Sequence, residues 1–443
     1  MELIRPDHAR YDEARALYNE MIDKRPAVVA ECATPGDVRD ALALAEREDL
    51  AVAVRSGGHS VAGLSSNDGG LVVDVRPMKR LEVDPVRRTA RVGGGVTWGE
   101  FDRAAQEHGL ATTGGRVSTT GVSGFTLGGG SGWAERAWGL ACDNLVSVDL
   151  VTADGREVTA SETQEPELFW ALHGGGGNFG VATALEFRLH PLGPIVLAGL
   201  MLWPAEQGHE VSRYYRDHAL AAPDQLGSGL VMLSGPPEDF VPAYLQGQPA
   251  VGVALLWVGD PDEGQAYVQG FRDLKPVVDL VGPMPYADFQ CMIDDPPGMR
   301  NYWTADYHRD FPDEALDVLV KSGLNRPSPL SQQILFPWGG EAARVPAGST
   351  PMAQRDASWI THPFAVWESP AADEANIGWA RQFRRDIADF ATGGIYLNFI
   401  GLEGEDRVRA AYGEESYARL AQVKAEHDPR NVFRGNQNIR PAS

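Results

Sequence analysis

The residues of this chain best placed to do chemistry lie in three glycine-rich stretches: "RSGGHS" (55–60), "STTGVSGFTLGGGSGW" (118–133) and "HGGGGNFG" (173–180). Bare backbone of this kind lets several N–H groups converge on one anion without side-chain obstruction. Ser56, Ser60, Thr119, Thr120 and Ser123 add neutral hydroxyl donors, and few basic side chains accompany them. The combination suits a dinucleotide with a pyrophosphate and a large planar ring, for which glycines clear space. His59 follows the Gly57-Gly58 pair directly. An imidazole titrating near ~6.5 is partly neutral at neutral pH, so His59 could act as a nucleophile or simply hydrogen-bond within its turn.

The elements around these stretches narrow the fold. "AVAVR" (51–55) reads as a short buried strand running into the first glycine turn, and "AVVAECA" (27–33) as another. The 3–4 spacing of Val38, Leu42 and Ala45 predicts a helix over 35–49, and Thr97 with Glu100 marks a capping box opening a helix over 97–109. Helical spacing is also expected over 11–23. Residues 70–75, 81–95 and 147–160 read as strands and hairpins, the last turning at Asp154-Gly155. Gly175, Gly177 and Gly180 form a G-x-G-x-x-G, but a helix-like "PELFWAL" precedes it and a strand-like "VATALEFRLH" follows it. A dinucleotide-binding Rossmann unit needs the opposite order, so that fold is disfavoured. Neither a Walker-A sequence nor a G-x-S-x-G elbow occurs. Near "PLGP" (191–194) the texture changes to longer alternating strands such as "GVALLWVG" (252–259), and residues 412–439 read as a helix stopped at Asp428-Pro429.

A net charge of −22 excludes the dense cationic surface that nucleic acid requires. The longest apolar run, 194–204, is too short to span a bilayer, and residues 1–21 show no apolar leader, so a cytoplasmic location is expected. Three scattered cysteines and ten histidines without ligand spacing point to no disulfide framework and no metal.

Taken together, "VRSGGHSVAG", "TTGVSGFTLGGGSGWAERAWGLACDNL", "GGGGNFGV" and "DPRNVFRGNQNI" closely resemble the berberine-bridge-enzyme-like FAD-linked oxidases of the vanillyl-alcohol-oxidase or PCMH-type group. The order of the motifs is the family's, and the resemblance covers essentially the whole chain. It implies an α+β fold: a PCMH-type two-subdomain FAD-binding domain (1–194), an α+β substrate domain with an antiparallel sheet (195–400), and a C-terminal segment (401–443) returning to the flavin. It further implies the bacterial or archaeal type, with FAD held covalently through His59 on the flavin 8α-methyl. Arg55, Ser56, Gly57, Gly58, Ser60, Thr119, Thr120, Gly121, Ser123, Gly124, Gly128, Gly129 and Gly130 would surround the cofactor. So would Asn144, Gly177, Gly180, Val181, Asn436 and Gln437. Some relatives add a second, cysteinyl bond; that position is Val117 here, which leaves a single attachment. Cys142 lies elsewhere and reads as a small buried residue.

On the substrate side the family's Tyr-x-Asn-Tyr reads Tyr396-Leu397-Asn398-Phe399. In several relatives the second tyrosine takes a hydroxyl proton while hydride passes to flavin N5, which Phe399 cannot do. Either the base has moved, with Tyr396 nearest and Asn398 beside it, or an activated substrate such as an amine or acidic phenol needs none. A tyrosine base needs its pKa pulled below ~10. Tyr302, Tyr307, His308 and His362 are weaker candidates; Trp303, Phe336, Trp338 and Trp359 suit either an aromatic ligand or a core. The function implied is an FAD-dependent oxidoreductase, an oxidase passing hydride from an alcohol, sugar or cyclic amine to flavin, with O2 reoxidising it to give H2O2. A dehydrogenase with another acceptor, or a flavin-binding protein without turnover, are the alternatives. Oligomeric state is not legible.

Overall fold

The computed structural model describes residues 1–294, 296 and 298–442. Helices and sheets are mixed, as the α+β reading requires. A four-stranded sheet runs in the order Glu2–Ile4, Val28–Glu31, Leu71–Asp74, Val52–Arg55, its last three strands parallel. Those parallel strands are short runs of β-branched residues covered on their faces, as parallel strands must be. Helix Pro35–Arg47 covers one face with Val38, Ala41, Leu42 and Ala45, and starts on the capping box of Thr34 and Asp37.

A five-stranded antiparallel sheet follows, in the order Leu81–Asp84, Thr89–Gly93, Val181–Arg188, Leu145–Val151, Glu157–Ser161. Helix Pro166–Ala171 does precede the third glycine loop and strand Val181–Arg188 does follow it, the reverse of a Rossmann unit. Helix Trp98–Gln106 begins with the Thr97 N–H donating to the Glu100 carboxylate at 2.8 Å.

Between 195 and 367 the chain builds a nine-stranded antiparallel sheet. Helices Gly208–Ala219 and Asp313–Leu324 pack on one face through Val211, Tyr215, Leu316 and Leu319. The opposite face looks toward the glycine loops. The two-residue period puts Gln332, Ile334 and Phe336 of strand Gln332–Pro337 on that face, beside His362 and Phe364 of strand Trp359–Trp367. Helix Glu405–His427 then returns to the earlier part of the chain, where Val408 and Leu420 share a core with Phe179 and Leu185. It ends at Asp428, as the sequence predicts.

One expected helix is cut short. Only Tyr11–Arg15 of 11–23 is helical, and the chain leaves it extended at Ala16. Tertiary contacts override the local pattern: buried Asn19 donates to the carbonyls of Val61 and Asn301, each at 2.9 Å. This detour carries Tyr18 onto the first glycine loop.

Asp102, on helix Trp98–Gln106, is buried. Its Oδ2 accepts from Gln290 Nε2 at 3.1 Å, and its Oδ1 has no partner among the described residues. Burial pushes its carboxyl up to about 7, with Gln290 pulling the other way. Because the folded value exceeds the unfolded one of ~3.9, the stability this carboxyl contributes is complete below that value. It is lost as pH rises through about 7. Asp102→Asn should therefore melt with the wild type at about pH 4 and several degrees above it at about pH 8. Parallel melting curves across that range would show that the carboxyl is not buried as described.

Candidate active site

The parallel sheet delivers strand Val52–Arg55 into the first loop, where Gly58 turns the chain at φ +74°, a conformation that favours glycine. Gly57 lies backbone to backbone against Gly121 of the second loop, so close that a Cβ on either would penetrate the other's amide. Ser56 Oγ and Ser123 Oγ both donate to the carbonyl of Gly94, at 2.7 and 2.8 Å. These two hydroxyls line the cavity, as expected, and also knit the loops to the five-stranded sheet. Among the described residues no protein group accepts from the backbone N–H groups of Gly57, Gly58, His59 and Ser60. Consecutive donors without a protein acceptor leave this backbone available to an anion.

All three glycine loops open on one cavity, which encloses about 1990 Å³ outside the protein atoms, its mouth included. Gly124 and Gly177 line it, and a Cβ built on either would meet nothing within 4 Å. The space is there because the side chains are not. In the third loop Asn178 Nδ2 donates to Gly175 O at 2.7 Å, and its Oδ1 accepts from Ile439 N at 2.9 Å. Asn436 Nδ2 reaches Gly177 O at 3.2 Å. Lys424, fully buried, completes this clamp by donating to Asn178 O, Phe433 O and Asp428 Oδ2. The C-terminal tail thus closes one wall, with Asn436 and Gln437 lining the cavity.

His59 lies on the wall. Its Nε2 is 2.9 Å from Thr119 Oγ1 and its Nδ1 3.5 Å from Thr120 Oγ1. Tyr18 stacks on the imidazole at 4.1 Å between centroids and 21°. Burial lowers the imidazole to about 4, so it is neutral at physiological pH.

Ser60, Thr120, Gly121, Ser123, Gly128 and Gly180 also line the cavity. Several other expected cofactor residues do not. Arg55 is buried beneath the loop, donating from Nη2 to Asp74 Oδ2 at 2.5 Å and from Nη1 to Ala16 O at 3.2 Å. It fastens neighbouring strands rather than a phosphate. Asn144 holds the carbonyls of Trp138 and Leu140 and meets His190 Nε2 through its Oδ1. Gly129, Gly130 and Val181 are buried behind the wall, and Thr119 is exposed outside it, reaching the site through its hydroxyl on His59.

Tyr396 does not line the cavity either. It is buried, and its Oη accepts from the N–H groups of Gly130 and Ser131 at 2.8 Å and from Asn398 Nδ2 at 3.1 Å. Burial drives the phenol well above its usual value, against these donors. A base would need the opposite shift, so Tyr396 reads as a bracket for the second loop. Asn398 lines the cavity, donates to Phe125 O at 2.9 Å, and rests on Gly128, where no Cβ could fit. Of the four weaker candidates only His362 reaches the cavity. His308 has both nitrogens engaged, by Phe390 O and Thr361 Oγ1, Tyr307 is core, and Tyr302 meets Arg381. Trp303 and Phe336 line the site, whereas Trp338 and Trp359 are core.

The family model for an FAD binding domain matches residues 26–161, and the berberine and berberine-like model matches 395–440. (R)-6-hydroxynicotine oxidase of Paenarthrobacter nicotinovorans is 32% identical over 99% of this chain and 96% of its own. The chain belongs to the berberine-type FAD-linked oxidoreductases. An FAD-linked oxidoreductase of Bacillus subtilis is 29% identical over 99% of this chain and 96% of its own. The crystal structure of 6-hydroxy-D-nicotine oxidase from Arthrobacter nicotinovorans matches with a TM-score of 0.89 at 29% identity, covering 100% of this chain and 98% of that one. Xylooligosaccharide oxidase from Myceliophthora thermophila shares the fold at a TM-score of 0.86 and 21% identity, over 100% and 97% of the two chains.

For this berberine-type oxidoreductase the cradle is a consistent FAD site, with unclaimed N–H groups for the pyrophosphate and glycine-cleared space for the ring. The sequence did not mark Arg116, whose guanidinium forms part of the wall over the ring of Phe336 at 4.2 Å and donates to Ser131 O at 3.1 Å. Nor did it mark Tyr18, because neither belongs to a repeated or spaced pattern. Asn178 stood inside the motif "GGGGNFGV" but was not singled out from it. Two glycine substitutions separate structure from binding. Gly57→Ala should destabilise the fold through its clash with Gly121, whereas Gly177→Val should leave the melting temperature of flavin-free protein unchanged and abolish flavin loading. Flavin content at full occupancy in Gly177→Val would contradict the cradle.

Proposed function

We propose that this FAD-linked oxidoreductase holds its flavin by one covalent bond through His59 and oxidises a small organic alcohol or amine with O2 as electron acceptor. The observation that carries this reading is the neutral imidazole of His59 on the wall of the bare-backbone cradle. The 8α-carbon of oxidised flavin is electrophilic, and an imidazole kept free of a proton by burial is a competent nucleophile for it. Thr119 and Thr120 hold the ring in place, and Tyr18 covers one face of it. Val117, on the cavity wall, offers no second sulfur, and Cys142 is buried beside Asp143 and Arg355.

In this reading residues 1–194 and 401–443 hold the cofactor, and 195–400 roof the substrate. Bound flavin supplies a two-electron acceptor; the chain binds, orients and shields the reacting carbon. One relative that matches along the whole chain is named for 6-hydroxynicotine, which supports a small organic substrate.

Acid precipitation of the purified holoprotein should leave a yellow pellet, and peptide mapping should place the flavin on His59. His59→Ala should bind flavin only reversibly and lose about tenfold or more in turnover. A flavin peptide lacking His59 overturns the assignment. Air should reoxidise the reduced protein rapidly in stopped flow; slow reoxidation would sink O2 as the acceptor.

A further inference from the structure

The roof of the cavity is mainly apolar, formed by Trp303, Ile334, Phe336, Phe364 and Phe399, with Gln332 and His362 as the polar side chains of the sheet face. Of these two only His362 can take a proton. Its Nδ1 lies 2.9 Å from the carbonyl oxygen of Thr304. A carbonyl can only accept, so Nδ1 carries the ring proton and Nε2 holds a lone pair. No group among the described residues bonds to Nε2, and the residue lines the cavity. Three neighbours fix the ring. Phe399 stacks on it at 4.3 Å and 16°, and Trp303 and Phe364 meet it edge-on at 5.9 and 5.6 Å. Phe399 stands at the position where the Tyr-x-Asn-Tyr pattern would have a phenol, and what it presents to the cavity instead is a buttressed imidazole.

We propose that His362 Nε2 receives the hydroxyl or amine hydrogen of the substrate, and that this substrate is a flat, mainly apolar alcohol or amine rather than a sugar. The inference rests on the flavin-dependent oxidation proposed above. In that reaction the substrate's C–H and O–H (or N–H) bonds break and C=O (or C=N) forms. The carbon is oxidised, the hydride and its two electrons reduce the flavin, and the proton goes to Nε2. A sugar would bring a ring of hydroxyls under a roof whose polar side chains are Gln332 and His362, with Arg116 on the wall, and those facing Trp303, Phe364 and Phe399 would be left unpaired at a cost. A planar ring would instead lie among Trp303, Phe364 and Phe399 with its donor toward His362.

The surroundings keep the acceptor unprotonated. Burial lowers the imidazole to about 4, Arg116 acts in the same direction, and the Thr304 carbonyl opposes both. Glu403 meets Thr304 through the threonine hydroxyl at 2.7 Å, and Tyr396 reaches His362 only across the Phe399 ring.

The flavin-loaded full chain can be titrated with phenol, anisole and glucose, with binding read as a shift of the flavin absorbance. At about pH 7.5 phenol should bind the wild type about tenfold more tightly than anisole, the worth of one hydrogen bond to a buried acceptor. His362→Leu should reduce that preference to within about twofold, and His362→Gln, which keeps an acceptor oxygen, should restore part of it. The wild-type preference should fall only as pH approaches about 4, where Nε2 gains a proton. Flavin content and melting temperature of both variants are measured alongside. Equal binding of phenol and anisole by the wild type, or a preference that survives in His362→Leu, overturns the inference. So does binding of glucose without phenol. Protein that carries no flavin would instead defeat the underlying reading, and this inference with it.

Discussion

The contact between the backbones of Gly57 and Gly121 is the constraint on which the site depends. One loop leaves the parallel sheet and the other precedes helix Val122–Leu127, and no side chain of any size fits between them. Ser56 and Ser123 reinforce the contact by sharing the Gly94 carbonyl, which joins both loops to the second sheet. The register between the loops then sets His59 against Thr119 and Thr120. The cavity wall on this side is then backbone, a few hydroxyls and space cleared by glycine.

Burial decides the protonation state of the groups around this cavity, and it acts oppositely on acids and bases. His59 and His362 are both lowered to about 4 and stand neutral, ready to use a lone pair. Tyr396 is raised, so its phenol stays protonated despite three N–H donors at its oxygen. Arg55 and Asp74 pay for their burial by pairing: desolvation would raise the Asp74 carboxyl, and the guanidinium groups of Arg55 and Arg76 more than offset it. Breaking that pair would leave an uncompensated charge under the first loop, which is the costly way to lose a buried ion pair.

Much of this was legible in the residues. Local rules governed the capping box at Thr97, the hairpin at Asp154-Gly155, the reversed helix–loop–strand order around Gly175–Gly180 and the helix stop at Asp428. Glycine clustering announced the cradle. The errors fell where a polar side chain had to choose between ligand and protein. Arg55 and Asn144 belong to the motifs, yet each lies outside the cavity lining and is engaged by a partner distant in sequence, at Asp74 or His190. Tyr18 and Arg116 carried no signal at all, because a single aromatic or arginine in a loop is unremarkable until another chain segment lies against it. Trp303 and Trp359 are alike in sequence, and only the face each strand turns separates cavity from core.

By itself the sequence determined the cofactor class and the kind of surface that holds it. Glycine spacing and local periodicity are properties of contiguous residues, and no distant partner is needed to express them. The tertiary structure alone decided which side chains are free to act. Tyr396 and His362 lie 34 positions apart, and the sequence ranked the tyrosine first. Folding surrounds the tyrosine oxygen with N–H groups behind the wall, and leaves the histidine nitrogen open beneath an aromatic roof. Hydrogen-bond saturation and burial are set by what other segments bring to a residue, so neither can be read from its neighbours in the chain.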